Sequence, residues 1–173
     1  MIKRLPRYII NFILLVFLQV FIFNNIQFSG FINPYIYIIF ILLLPFETPK
    51  WMLLMLAFLL GLTVDLFTNT IGMHSSATVF MAFLRPYLLK VLAPRDGYEA
   101  ETLPQLNYYG FSWFLRYAAV LVIAHHLFLF YIEVFSFSNF FFTLLRVILS
   151  SIFSIFLIVI SQYFFYSKDK RKR

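Results

Sequence analysis

From Tyr8 to Phe46 the chain runs without a single Lys, Arg, Asp or Glu. Further apolar blocks follow almost to the C-terminus, broken only by isolated charges. A soluble domain covers itself with charge, at about a quarter of its residues. Here only 12% are charged, while 62% are hydrophobic and 22% aromatic. The solvent that suits such a surface is hydrocarbon. The chain therefore reads as an integral membrane protein whose mechanism lies in the few polar residues placed inside the bilayer.

A membrane helix needs about 20 mostly apolar residues, so spans use up nearly all of the 173 residues and leave no room for a soluble catalytic domain. The absence of cysteine excludes disulfides and thiolate chemistry. The net charge of +7 is concentrated at the ends: five of the 14 basic residues lie in the last six positions, and Lys3, Arg4 and Arg7 in the first seven. Basic ends beside apolar spans mark cytoplasmic flanks rather than nucleic-acid binding. The basic start and apolar run resemble a signal peptide, but no small-x-small cleavage site follows, so the run reads as a retained first span.

The pattern predicts an all-α polytopic membrane helix bundle of one domain, with about six transmembrane helices. They fall over residues 8–23, 34–46, 51–67, 75–92, 111–132 and 139–166, followed by a basic tail over 167–173. The second is short for a crossing, which suggests that it extends into the preceding loop, thins the bilayer or sits within the bundle. With the N-terminus inside, the outer loops at 24–33, 68–74 and 133–138 carry no Lys or Arg, whereas Lys50, Lys90, Arg95 and both termini fall on the inner side. Both termini are then cytoplasmic. Trp51, Tyr108, Tyr109 and Trp113 fall at the inner interface, where amphipathic rings are favoured. The inner loop 94–110, with Asp96, Glu99 and Glu101 beside Arg95, reads as an exposed contact surface.

The intramembrane polar residues are the candidates for function. Gly61, Asp65 and Asn69 are spaced four apart and share a helix face. This reads as a helix-packing clamp, with a cation-binding or cross-bundle carboxylate as the alternative. Arg146 heads a stripe of Thr143, Ser150, Ser154 and Ser161 on an otherwise Phe, Ile and Leu helix, and small hydroxyl residues let helices pack closely. Matched depth suggests that Arg146 pairs with Asp65 or Glu133. Arg85 precedes Pro86 in mid-span, and reads as an Arg snorkelling to the cytoplasm from a kink or as a contact inside the bundle. His125 and His126 are adjacent, so they point about 100° apart and do not form an i, i+4 metal pair. Packing histidines are expected, and no metal site. No nucleophile-elbow, zincin or phosphate-loop motif is present, so no enzyme and no cofactor is expected.

The stretch Gly61-Leu62-Thr63-Val64-Asp65-Leu66-Phe67-Thr68-Asn69-Thr70-Ile71-Gly72-Met73-His74 resembles the central signature of the bacterial rod shape-determining MreD family. That signature is a Gly-x-x-x-Asp pair ending one helix, a short polar turn, then Gly and the next helix. Size, span count and basic ends are similar along the whole chain. The resemblance implies a non-enzymatic multi-pass scaffold in the bacterial inner membrane, acting in lateral cell-wall elongation. Its partners would be an MreC-type protein, a RodA-type glycosyltransferase, a class B penicillin-binding transpeptidase and, directly or indirectly, the MreB cytoskeleton. The family is also similar to the six-helix substrate-binding components of energy-coupling factor transporters. In this reading Gly61, Asp65 and Gly72 shape the third-to-fourth helix turn, while Arg146 with Ser150 stabilises the bundle or meets a partner helix. Two alternatives remain. A small-molecule-binding transporter subunit would line an outer pocket with Asp65, His74, His126, Glu133 and Arg146. A channel or proton path would use Asp65, His126 and Arg85.

Overall fold

A computed structural model describes residues 5–26, 32–99, 102–135 and 139–170, with side chains as far as Phe164. Lys3, Arg4, Glu101 and Arg171-Lys172-Arg173 lie outside the described residues, as do the side chains of Lys168 and Lys170 and parts of the expected loops at 24–33 and 133–138. The fold is all-helical. Five long helices form the bundle: α1 (Leu5–Phe21), α3 (Lys50–Thr68), α4 (Met73–Val91), α6 (Phe111–Val134) and α7 (Phe140–Lys170). Two single turns, α2 (Ile39–Leu42) and α5 (Leu106–Tyr109), lie between them. Among the described residues four helices, all but α4 of the long five, are long and apolar enough to cross a membrane. The chain is thus a membrane protein by the length and composition of its helices. Helix α4 matches α3 at 19 residues but is more polar, because it is walled in by α3 on one side and α6 on the other.

The ends of the bundle differ. One, the basic end, gathers the 45–50 turn, Lys90, Arg95 and the loop before α6. The other, the turn end, gathers residues 22–26 and 32–34, the α3–α4 turn, the end of α6 and the start of α7. Apolar side chains such as Ile10, Phe17, Met55, Phe141 and Ile152 cover the flanks and are exposed, as suits a lipid-facing surface. At the basic end Trp51 and Tyr108 are exposed, whereas Trp113 is buried. Trp113 donates from Nε1 to the Leu92 carbonyl at 2.9 Å, tying α6 to the end of α4. Phe46, Tyr98 and Tyr109 pack around it.

The expected second helix over 34–46 is corrected. Only α2 is α-helical there; the segment enters as irregular backbone over 33–36 and then coils through tight turns from Ile36 to Leu44 on its way from the turn end to the basic end through the centre of the bundle. Tyr35 to Leu42 are all buried, with Tyr37, Ile38, Ile41 and Leu42 fully so. The local sequence explains this. Pro34 and Pro45 bracket the run, and the residue before a proline is pushed out of the helical region. The β-branched and aromatic run between them disfavours a long regular helix, and Ile36 to Leu44 instead coil mostly through i→i+3 turns around α2.

Helices α3 and α4 form a tight hairpin. A Cβ on Gly61 would lie 2.4 Å from the Ser75 Cα and 2.6 Å from the His74 carbonyl oxygen, so the two backbones touch where only glycine fits. Gly72 is different: nothing lies near its Cβ position, but its φ of +92° favours glycine. Substitution should separate the two roles. Gly61→Ala should cost about 1–3 kcal/mol through overpacking and widen the α3–α4 spacing, while Gly72→Ala should cost about 1–2 kcal/mol through backbone strain alone. Thermal unfolding in detergent, with spin-label distances across the hairpin, distinguishes them.

Candidate functional site

A buried backbone that is not helical leaves its N–H and C=O groups without local partners, and in a membrane no water replaces them. The polar side chains inside this bundle supply those partners. Near the turn end, Gln19 of α1 accepts from the Ile36 N–H at 2.8 Å through Oε1 and donates from Nε2 to the Pro34 carbonyl at 3.0 Å. From α7, Ser150 Oγ accepts from the Asn33 N–H at 3.1 Å and Ser154 Oγ from the Tyr35 N–H at 3.0 Å.

Ser154 is itself oriented by His126. His126 Nδ1 lies 2.8 Å from the Val122 carbonyl, so it carries the proton. Nε2, 3.1 Å from Ser154 Oγ, is then the acceptor for the serine hydroxyl. The chain of donation runs from the Tyr35 amide to Ser154, to the neutral His126 ring, whose other nitrogen donates to α6. His125 points elsewhere: its Nε2 lies 2.8 Å from the Tyr37 hydroxyl, which also meets His74 Nδ1 at 3.1 Å and Thr78 Oγ1 at 3.2 Å. The Tyr35 ring packs edge-on against His74 and tilted against His126.

At the other end of the segment the carbonyls are held. Tyr117 of α6 donates to the Leu42 carbonyl at 2.9 Å and accepts from Arg85 Nε at 2.8 Å. Arg85 Nη2 donates to the carbonyls of Leu44 and Pro45. Arg85 is only 1% exposed. The snorkelling reading is therefore corrected: the guanidinium stays inside, where the carbonyls left over at the end of α2 draw it in. Outside the spans, burial pushes the Tyr98 hydroxyl up to about 12, so it remains a donor, here to the Leu89 carbonyl.

Asp65 is fully buried at the end of α3 and caps α4. Its Oδ1 accepts from the His74 N–H at 2.9 Å and the Thr70 hydroxyl at 3.0 Å; Oδ2 accepts from the Ser75 N–H at 2.9 Å and the Gly72 N–H at 3.1 Å. These amides are the free donors of a helix N-terminus, where negative charge is stabilised. Gly72 itself has no capping side chain, and the preceding helix provides one. Asn69 does not extend the Gly61–Asp65 face: it takes a left-handed φ of 57°, ends α3 through its own N–H to the Asp65 carbonyl, and its side chain is exposed.

Of the two pairings expected for Arg146, the structure forms the one with Glu133, at 3.0 Å. Arg146 also lies 4.3 Å over the Phe130 ring. This pair is the part of the polar set that reaches the surface, with 18% and 38% of the side chains exposed. The residues expected to line one outer pocket are thus divided between separate tasks: Asp65 on the α4 terminus, His126 on Ser154, and Glu133 with Arg146 on the α6–α7 edge. Gln19, Tyr37 and Tyr117 were missed by the sequence reading. An amide within the apolar run of α1, one of two there with Asn11, was the available signal for Gln19.

No family model, curated protein or solved structure matches this chain.

Loss of a segment-holding hydroxyl should be far costlier than loss of one on the same stripe that serves its own helix. Ser154→Ala strands the Tyr35 amide and should cost about 1–3 kcal/mol, whereas Ser161, which among the described residues bonds only to the Ile158 carbonyl three residues back, should tolerate alanine within about 0.5 kcal/mol. Asp65→Ala should cost at least about 2 kcal/mol, with Asp65→Asn intermediate because one acceptor oxygen survives. Equilibrium unfolding in mild detergent reads all four variants.

Proposed function

We propose that this protein is a non-enzymatic, multi-pass scaffold of the bacterial inner membrane that acts in lateral cell-wall elongation, in the manner of the rod shape-determining MreD family. The observation that carries the reading is the hairpin. The three residues on which the resemblance rests build one joint, with Gly61 setting the approach of α3 to α4, Gly72 the reversal, and Asp65 the cap. A short signature in which every position has a mechanical task is a fold determinant, and a scaffold requires a rigid fold more than a reaction centre.

A second feature favours binding over catalysis. The intramembrane polar groups Gln19, Arg85, Tyr117, His126 and Ser154 are engaged in holding the central segment, and the outer flanks are apolar. In this reading the basic end faces the cytoplasm, following the positive-inside rule, and the Arg146–Glu133 edge lies near the outer leaflet. There it offers a partner helix a charged pair on an apolar ridge. An MreC-type protein, a RodA-type glycosyltransferase and a class B transpeptidase are the partners.

The test is affinity purification of the tagged protein from its native membrane after brief crosslinking, with partners identified by mass spectrometry. Recovery of those partners is the expected result, reduced severalfold by Arg146→Glu at unchanged expression. Recovery instead of a membrane coupling subunit with its ATPases would overturn the scaffold and point to a transporter subunit.

A further inference from the structure

Two cavities meet at the basic end of α1. The first, about 220 Å³, lies between α1, α2 and α3, with Ile9, Phe12, Phe40, Met52 and Leu56 in an almost wholly apolar wall. The second, about 400 Å³, lies between the 45–49 turn and residues 98–99 and 102–103, with Glu47 and Glu99 in its rim. Tyr8, Pro45 and Thr48 line both, so the two adjoin along these residues. Ile9 is 52% exposed, so the apolar slot opens sideways onto the flank of the bundle, while the polar cleft opens at its end.

The apolar slot is too small to enclose a helix: an α-helix is about 10–12 Å across, and the volume of the slot would hold only about 2–3 Å of its length. An acyl chain is slender enough to lie there, beside a flank that is itself apolar. The polar cleft has a charge preference. The hydroxyls of Thr48 and Thr102 are turned to the Pro45 and Glu99 carbonyls, whereas the Glu47 and Glu99 carboxylates are exposed and form no ion pair among the described residues. Two free carboxylates at the mouth favour an ammonium and disfavour a purely anionic headgroup.

We propose that these joined cavities bind one membrane phospholipid with an amine headgroup, such as phosphatidylethanolamine, with one acyl chain in the slot between α1 and α3 and the ammonium at Glu47 and Glu99. The bound lipid completes the packing of α1, which buries Val16 and Gln19 and packs Tyr8, Phe12, Leu15 and Val20 only partly against the core. This inference does not depend on the scaffold reading.

The experiment is native mass spectrometry of the full chain from nanodiscs of equal phosphatidylethanolamine and phosphatidylglycerol. One phosphatidylethanolamine should remain per chain, at least fivefold over phosphatidylglycerol. Met52→Trp, which fills the slot, should lower retention about tenfold. Glu47→Gln with Glu99→Gln should abolish the headgroup preference while a lipid is still retained. No retained lipid, equal retention by Met52→Trp, or no preference in the unaltered chain would overturn the proposal. Should Met52→Trp fail to fold, a phosphatidylethanolamine with a photoreactive acyl chain reads the unaltered protein. Labelling concentrated on residues 9–12 and 52–56 supports the site. Labelling as strong at Phe156 of α7, or capture of a protein segment at the slot, overturns it.

Discussion

An amide group buried in an apolar interior must find a partner, and this fold is arranged around that demand. The central segment carries N–H groups at Asn33, Tyr35 and Ile36 that no helix satisfies, and they are met by side chains of α1 and α7. Each left unmet would cost about 1–3 kcal/mol. Three together would rival the whole stability of an ordinary domain, about 5–15 kcal/mol. The polar residues of the apolar helices are therefore placed by the backbone they serve, and the helices are placed by those residues. Gln19 fixes α1, Ser150 and Ser154 fix α7, and Arg85 with Tyr117 fixes the relation of α4 to α6.

The hairpin solves the same problem by another route. The first amides of α4 are buried against α3, and a carboxylate from α3 answers them. Asp65 brings a full charge to a position where several dipoles converge, which makes a buried anion tolerable. The close contact at Gly61 makes this reach possible. Neither feature works alone: a bulkier residue at 61 would move Asp65 away from the α4 terminus, and a neutral residue at 65 would leave two backbones in contact with unpaired amides between them.

Much of this was legible in the sequence, and the failures have a common cause. The long apolar runs placed α1, α3, α6 and α7, because hydropathy over some twenty residues is a strong signal. The hairpin was legible because Gly61, Asp65 and Gly72 are local to one another. The segment over 34–46 was read as a full helix because hydropathy records apolarity and not conformation, although Pro34 and Pro45 at its ends pointed to a shorter, interrupted one. Of the two readings of Arg85, snorkelling and a contact inside the bundle, the sequence could not choose, because its partners are the carbonyls at the end of α2, about 40 residues earlier in the chain. The serine stripe was visible on α7, but its purpose was not, since Ser150 and Ser154 meet residues 117 and 119 positions earlier in the chain.

That separation has a consequence for biogenesis. The central segment leaves the ribosome early, whereas Ser154 is made 119 residues later than the amide it serves. At about 5–20 residues per second the interval is about 6–24 s. During that time the Asn33 and Tyr35 amides lack the α7 hydroxyls that receive them. The entry to the central segment cannot take its final hydrogen bonds before α7 arrives. A helix made late thus completes a core whose central segment was made early.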